Sequence, residues 1–384
     1  MALDLSLLAS KLKKYREQFQ ASLTEVSAAT GIPEDILSAF EEGQRQPTGD
    51  EILILADYYK CDYKFFISGE RVAPFEETET LFRTHGEEFS KEDRRVVQEF
   101  LFLCECEEFL MRLLPGYDRS PFDFEKTGSI YKQHGEQAAV ALRRHLGYSS
   151  IEVGMNVYDD LRRIGLHVFR RELMNSTISG LYIKHPYAGK CVLVNYSEDV
   201  YRQRFSAAHE AGHAILDSDK NVVVSFTAGR WKGSDLSEVR ANTFASCYLM
   251  PPEFLRRIPD ARRWDSQKAI EWAGKLRVST EALAYALRDA GLIAAEAVEA
   301  IKAVKVSATD KVEPELPVGL APKSLQRRKE LLRRGLSSFY FELCFGAYEE
   351  GIISAGRLAE MFLLDQDELS EVLQVYGRSL SYAD

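Results

Sequence analysis

The sequence contains no long apolar segment. Nowhere in its 384 residues do eighteen apolar residues follow one another, whereas a membrane-spanning helix needs about twenty. Residues 1–6 also lack the basic start and the extended apolar core of a secretory signal. We therefore expect a cytoplasmic protein with no membrane partner.

Cysteine is scarce, and its spacing builds no small disulfide scaffold. The six cysteines stand at positions 61, 104, 106, 191, 247 and 344. Because no export signal is present, we expect reduced thiols. Cys104 and Cys106 fall in an apolar helical run with no second ligand pair nearby, so we predict core residues there and not metal ligands.

The sequence has fewer basic than acidic residues. The chain has 49 lysines and arginines against 59 acidic residues, a net charge of −10. This argues against a large non-specific nucleic-acid surface, although it leaves room for a local DNA-reading helix. The length predicts two or three domains, and the 45% apolar and 28% charged residues are typical of globular proteins.

The patterning predicts four segments of a mainly α (α+β) fold. Residues 1–70 are expected to form a helix-turn-helix bundle, and 71–150 an acidic linker, irregular over 72–87, followed by a helical connector. In 151–257, short apolar runs at 166–169, 180–183 and 192–194 predict a small three-stranded sheet packed on two site helices. Residues 258–384 are expected to be helical again.

The helix boundaries of the first segment are marked by the sequence. Ser22 precedes a helical stripe, and Glu25 follows three positions later, which is the spacing of a capping box. Gly31 ends that helix, and Pro33 opens the next, where its missing N–H is harmless. Two short helices joined by a glycine-containing turn are typical of a helix-turn-helix.

The segment His209-Glu210-Ala211-Gly212-His213 has the spacing of a metal-binding helix. Histidines four apart on a helix point the same way, so both imidazoles reach one ion. Glu210 then lies beside the open coordination position, where it acts as a general base on a zinc-bound water. The alternative is a histidine pair that caps a helix in a polar core.

A zinc peptidase site needs a third protein ligand, and four acids are candidates. They are Asp217, Asp219, Asp235 and Glu238. Asp217 lies one helical turn beyond His213, where it is also suited to orient the imidazole from behind. Glu238 begins a separate helix, and antiparallel packing would bring it alongside the histidines. A glutamate at a helix N-terminus is also stabilised without any metal.

These motifs resemble the ImmA/IrrE family of metallopeptidases over about 154–257. The resemblance rests on the run Arg204-Phe205-Ser206-Ala207-Ala208 before the histidine motif, and on Glu238-x-x-x-Asn242-x-Phe244-Ala245 after it. It implies that His209, His213 and Glu238 hold Zn²⁺ and that Glu210 is the catalytic base.

Other positions are assigned around that centre. Arg204 and Asn242 flank the two site helices and are expected to tie them together by hydrogen bonds. Arg240 stands where the family usually has an acid, so any role of that acid is in doubt for this chain.

The family's activity implies a substrate class. Its members typically cleave a transcriptional repressor, in stress responses or in mobile-element induction, and some resemble antitoxins paired with a toxin. The resemblance therefore implies a zinc endopeptidase whose partner is a repressor or toxin. The alternative is a regulator or antitoxin that binds its partner without hydrolysis, but a base beside the open metal position favours the enzyme.

Residues 8–68 resemble the XRE-type helix-turn-helix, whose second motif helix enters the major groove and which commonly dimerises. DNA and a second copy of the chain are therefore candidate partners. The positions that usually contact DNA give the candidate set Leu23, Thr24, Glu34, Asp35 and Ser38. Residues 1–70 hold seven basic and twelve acidic residues, the wrong balance for phosphate. The alternative is a helical bundle that dimerises or recruits a protein.

Overall fold

The structure, a computed structural model, describes residues 4–68, 76–117, 119–227, 235–317 and 319–380. In these ranges the strands are β1 Leu166–Arg171, β2 Ile178–His185, β3 Gly189–Asn195 and β4 Val222–Phe226. The helices are α1 Leu5–Gln18, α2 Leu23–Thr30, α3 Glu34–Glu41, α4 Gly49–Tyr58, α5 Tyr63–Ile67, α6 Glu76–His85, α7 Lys91–Leu113, α8 Tyr131–His145, α9 Val157–Arg163, α10 Val200–Leu216, α11 Leu236–Leu249, α12 Pro252–Arg256, α13 Ser266–Leu276, α14 Thr280–Asp289, α15 Val298–Lys302, α16 Pro322–Arg333, α17 Ser338–Glu349, α18 Ala355–Met361 and α19 Gln366–Val375. No described helix is long and apolar enough to cross a membrane.

By their internal contacts the residues form two compact units. The first comprises Met1–Glu105 together with Leu173–Asn175, and the second comprises Cys106–Glu172 together with Ser176–Asp384. Helix α7 contributes residues to both. The domain limits expected from the sequence remain predictions.

The first unit begins with the helix-turn-helix. The Ser22 side chain accepts a hydrogen bond from the Glu25 amide while the Glu25 carboxylate accepts one from the Ser22 amide, so the predicted capping box is confirmed. Gly31 ends α2 with a φ of 73°, a left-handed conformation that glycine adopts without a Cβ penalty. Behind α2 and α3, the buried rings of Tyr15 and Tyr59 meet with centroids 5.6 Å apart and anchor the bundle.

The predicted irregular linker over 72–87 is wrong from residue 76 onwards, because α6 occupies Glu76–His85. Arg83 and His85 fall in its last turn, where the helix dipole favours positive charge. An acidic composition was therefore no evidence against a helix here.

The second unit contains the sheet, with strand order β1-β3-β2-β4. β3 is parallel to β1 and antiparallel to β2, and β4 is antiparallel to β2 on its other side. The mainly α fold with a small sheet is confirmed, but the sheet has four strands instead of three. The face of Val192 and Tyr182 joins the same core as Ala207 and Ala211 of α10, so the sheet supports the helix that carries the histidines.

Candidate metal centre and catalytic base

Helix α10 places both histidines on one buried face. Asp199 caps its N-terminus by accepting from the Tyr201 amide, and the helix ends at Asp217. His209 is 5% exposed and His213 is fully buried. The ring centroids lie 4.8 Å apart, as one helical turn requires.

Helix α11 brings a carboxylate to the two imidazoles. The Nε2 atoms of His209 and His213 are 3.1 Å apart. Glu238 places Oε2 3.2 Å from the first and Oε1 3.1 Å from the second. One ligand atom from each residue falls within 4.8 Å of the others, and this is a group of metal-ligand type in the part of the chain that the structure describes.

The hydrogen bonds on the far side of each imidazole fix which nitrogen faces the cluster. His213 Nδ1 lies 2.8 Å from Asp217 Oδ2, and His209 Nδ1 lies 3.0 Å from Asn242 Oδ1. Because both partners are acceptors, each Nδ1 carries the proton and each Nε2 keeps its lone pair. Two imidazole lone pairs and one carboxylate that converge on one point fit a divalent transition metal.

Glu238 is held ionised in this arrangement. Burial would raise the pKa of its carboxyl, but the two imidazoles that face it outweigh burial and hold that pKa well below its ordinary value. Its position in the first turn of α11, after the capping residue Asp235, adds a favourable helix dipole. Of the four third-ligand candidates, Glu238 is the one in the cluster, whereas Asp219 is exposed and Asp235 accepts from the Ser237 amide.

Glu210 lies next to the cluster and is fully buried. Burial raises the pKa of its carboxyl, while the two neighbouring imidazoles and the facing hydroxyl of Ser225 act in the opposite direction. The Ser225 hydroxyl falls short of hydrogen-bond geometry, so neither carboxylate oxygen has a partner among the described residues. A buried carboxylate without a partner is costly, and such a group is suited to accept a proton from a bound water.

Three glycines set the distances in the site. A Cβ on Gly180 would lie 2.8 Å from the Leu193 carbonyl oxygen and 3.1 Å from Glu210 Oε1, so β2 can approach Glu210 this closely only with glycine at position 180. On Gly212 a Cβ would lie 3.1 Å from Ala241 Cα, where α10 meets α11. On Gly135 it would lie 2.4 Å from the Arg240 carbonyl oxygen, where α8 meets α11.

Arg240 has a place behind the histidines. Its guanidinium donates to Asp217 Oδ1, and the other Asp217 oxygen faces His213. The side chain is 5% exposed, and its guanidinium lies over the Tyr131 ring of α8, 5.2 Å from the centroid. Helix α8 therefore supports the site through Arg240, a residue that the sequence reasoning only noted as a departure.

Arg204 lies elsewhere than expected. Its Nη1 donates to the Leu276 carbonyl at 3.0 Å and also reaches the Arg277 carbonyl, and its Nη2 donates to Gly154 at 3.2 Å. Burial lowers its pKa to about 10. Arg204 thus ties α10 to the end of α13 and to the loop before α9, whereas the tie to α11 comes from Asn242.

A cleft of about 890 Å³ opens onto His209 and Glu210. One side is formed by Ser225 and Phe226 of β4, and the opposite side by residues of α14 and α15. Among the described residues β4 pairs with β2 alone, so its other edge has no strand partner there.

The candidate DNA contacts form no comparable site. Thr24, Glu34 and Asp35 are exposed, and Leu23 is half-buried at the start of α2. Ser38 donates to Glu42 Oε1 at 2.9 Å. The exposed start of α3 is acidic, so the structure adds no phosphate-binding group at these positions, and their role remains a prediction.

Two family models match the chain. Residues 161–288 match the IrrE N-terminal-like domain of peptidase family M78, and this range contains His209, Glu210, His213 and Glu238. Residues 12–66 match the Helix-turn-helix model. The chain carries an IrrE-like peptidase domain that follows a helix-turn-helix in the sequence. Both resemblances drawn from the sequence are confirmed. No curated protein matches the chain significantly.

The IrrE-like domain contains site residues that the sequence reasoning missed. Ser225 faces the base from β4, and the consecutive valines 222–224 were a β-strand signal that could have located this strand. Arg240 had no such signal, because its partner Asp217 lies on another helix.

Proposed function

We propose that the protein is a zinc-dependent endopeptidase of the cytoplasm that cleaves a regulatory protein. The substrate is a repressor-like protein or a toxin, and cleavage serves a stress, mobile-element or defence response. The observation that carries the proposal is the convergence of His209, His213 and Glu238 beside the unpartnered carboxylate of Glu210. Two imidazoles and one carboxylate are a usual donor set for catalytic zinc.

The two histidines and Glu238 would hold the ion. When bound, zinc polarises the scissile carbonyl and lowers the pKa of its water to about 7. Asp217 and Asn242 keep the imidazoles in the tautomer that presents Nε2. An extended substrate segment lies along the open edge of β4, which directs its backbone across the site.

Glu210 moves the proton. Its carboxylate accepts a proton from the attacking water and then gives that proton to the leaving amide nitrogen as the peptide bond breaks. Burial raises the pKa of the Glu210 carboxyl, which makes its protonated form a competent acid for the second transfer. A binding scaffold without turnover would not need an ionisable group in this buried position.

The test compares the wild-type chain with a Glu210→Gln variant and a matched Glu125→Gln control, since Glu125 is an exposed glutamate outside the cleft. Each protein is incubated with a lysate of its source cells, and newly formed α-amino termini are labelled and sequenced. We expect new termini with the wild type and the control and none with Glu210→Gln, with equal zinc content in all three by elemental analysis.

Two results would contradict the proposal. The same termini appearing with Glu210→Gln would rule out Glu210 as the base. A wild-type protein that holds zinc but produces no new termini would favour the non-hydrolytic regulator.

The helix-turn-helix gives a second candidate function, DNA binding, which the family match favours. It is tested by mobility shift of the DNA upstream of the gene, titrated with salt. An affinity that falls steeply with salt indicates phosphate contacts, whereas no shift indicates a protein-binding bundle.

A further inference from the structure

Seven basic residues line the cleft. Five of them are paired with carboxylates and form a first class, whereas Lys305 has no ion pair within the described residues. The pairs are Lys132 with Asp289, Arg202 with Glu198, Arg288 with Asp289, Lys302 with Glu299 and Lys311 with Asp199. Lys132 and Arg288 share one carboxylate, but cations paired in this way have little net charge to offer a ligand, so these five add little positive charge to the cleft.

Arginines at one end of the cleft form the second class. A cavity of about 570 Å³ is lined by Arg256, Arg262 and Arg263, and it shares Arg256 and Ala290 with the cleft. Arg262 and Arg263 have no ion pair within the described residues. Arg256 has only a 3.7 Å contact to Glu253, in which both side chains are 52% exposed.

Basic residues outnumber acidic residues in the lining of this cavity, whereas acidic residues outnumber basic residues in the whole chain. Asp260 is the one carboxylate among its lining residues, against three guanidinium groups. The whole chain has ten more acidic than basic residues. Unpaired arginines in an acidic protein keep their donors free, and a guanidinium matches a carboxylate with two parallel hydrogen bonds.

We propose that Arg256, Arg262 and Arg263 bind an acidic segment of the protein substrate while the adjoining cleft holds the bond to be cleaved. This inference rests on the proposed peptidase function. The lining of the cleft also includes apolar side chains, among them Phe205, Val239, Met250 and Val278. The preferred substrate segment is therefore apolar at the scissile bond and acidic to one side of it.

The arrangement favours a peptide over a nucleic acid. The three arginines line a concavity continuous with the peptidase cleft, whereas nucleic acid requires a longer basic stripe along the phosphates. Elsewhere the net negative charge repels an acidic partner, so the cluster also orients the substrate as it approaches.

The test uses the full chain carrying Glu210→Gln, so that binding is measured without turnover. Three fluorescein-labelled peptides of about twelve residues, long enough to extend about 40 Å, share a Leu-Ala-Leu core. They carry a Glu run before the core, a Glu run after it, or Gln at the same places. Binding is followed by fluorescence anisotropy at increasing salt, and a labelled single-stranded oligodeoxynucleotide of similar length is the fourth probe.

The arginine cluster is tested with a triple variant that carries Arg256→Ser, Arg262→Ser and Arg263→Ser. The matched control removes the same charge from α16 by Lys323→Ser, Arg327→Ser and Lys329→Ser, three exposed residues outside both cavities. Thermal unfolding of each protein verifies that the exposed substitutions leave the fold intact.

We expect one Glu peptide to bind about five- to tenfold more tightly than the Gln peptide at low salt. The preference should disappear in the cluster variant and persist in the control. Equal binding of the Glu and Gln peptides, equal losses in both triple variants, or binding of the oligonucleotide alone would overturn the inference. Because anisotropy needs no cleavage, a failure of the peptidase proposal would appear separately, as the absence of new termini in the lysate experiment.

Discussion

Glycine-to-alanine substitutions should change stability with opposite signs at different helical glycines. Alanine is favoured over glycine in a helix interior by about 0.5–1 kcal/mol. At Gly274 of α13 an added Cβ meets no atom within 4 Å, so that gain is realised. At Gly135 of α8 the Cβ would lie 2.4 Å from the Arg240 carbonyl oxygen and 2.8 Å from the Phe244 amide nitrogen. Both are backbone atoms, which no rotamer change can move aside.

The clash at Gly135 forces α8 and α11 apart, and overpacking of this kind costs about 1–3 kcal/mol or more. After the helix-propensity gain we expect Gly135→Ala to lose about 2 kcal/mol and Gly274→Ala to gain about 0.5–1 kcal/mol. Gly212→Ala, with contacts of 3.1 Å to Ala241 Cα and 3.2 Å to Phe244, should fall between them.

The assay is thermal unfolding followed by circular dichroism, supported by urea unfolding. One kcal/mol corresponds to about 2–4 °C in a domain of this size, so Gly135→Ala should unfold several degrees below the wild type and Gly274→Ala slightly above it. A Gly135→Ala protein as stable as Gly274→Ala would refute the close approach of α8 and α11. Because α11 carries Glu238, Gly135→Ala and Gly212→Ala should also weaken zinc binding, measured by chelator competition, whereas Gly274→Ala should not.

Three further substitutions separate orientation, structure and pH dependence. Asp217→Asn should weaken zinc affinity about 10- to 100-fold, measured by chelator competition. The control Asp219→Asn changes an exposed neighbour and should leave the zinc affinity unchanged. Equal zinc affinities of the two variants would mean that the hydrogen bond from His213 to Asp217 has no effect. Arg204→Met leaves three carbonyls, one buried and two partly buried, without their donor. It should lower the urea unfolding free energy by about 3 kcal/mol, with unchanged zinc content in the folded protein. Burial alone would lower the pKa of His167, but hydrogen bonds to Glu107 and Glu108 raise that pKa to about 9. The stability that protonated His167 contributes is therefore complete below pH 6.5 and is lost as the pH rises through 9. The urea midpoint should therefore fall over that range, and a His167→Gln variant that falls equally would contradict this assignment.

The sequence was sufficient where a motif lies on one helix. The four-residue spacing of His209 and His213 determines that both rings share a face, whatever surrounds them. Glu238 was one of four candidate third ligands, and the resemblance to the ImmA/IrrE family selected it. The capping box at Ser22 was as local as the histidine pair, because both depend on residues a few positions apart.

The sequence did not reveal the contacts that depend on how closely two separate helices approach each other. The pairing of Asp217 with Arg240 requires α10 and α11 to cross at Gly212, and the backing by Tyr131 requires α8 to cross α11 at Gly135. In the sequence, a glycine within a helix shows only a low helix propensity, and nothing beside it indicates which helix will pack against it. For β4 the strand signal was present in residues 222–224 but was not used, because the segment follows directly on the motif helix.

The charge balance explains why an arginine is suitable at position 240. Three carboxylates, those of Glu210, Glu238 and Asp217, lie around two imidazoles that are neutral when they offer Nε2 to an ion. When ionised they carry three negative charges in a largely buried site, which is costly unless compensated. Arg240 compensates one through Asp217, and the remaining two match a divalent cation. An acid pointing to the same place would add a fourth negative charge. Arg240 therefore fits the candidate metal centre as its fixed countercharge, and it is compatible with the role proposed for Glu210.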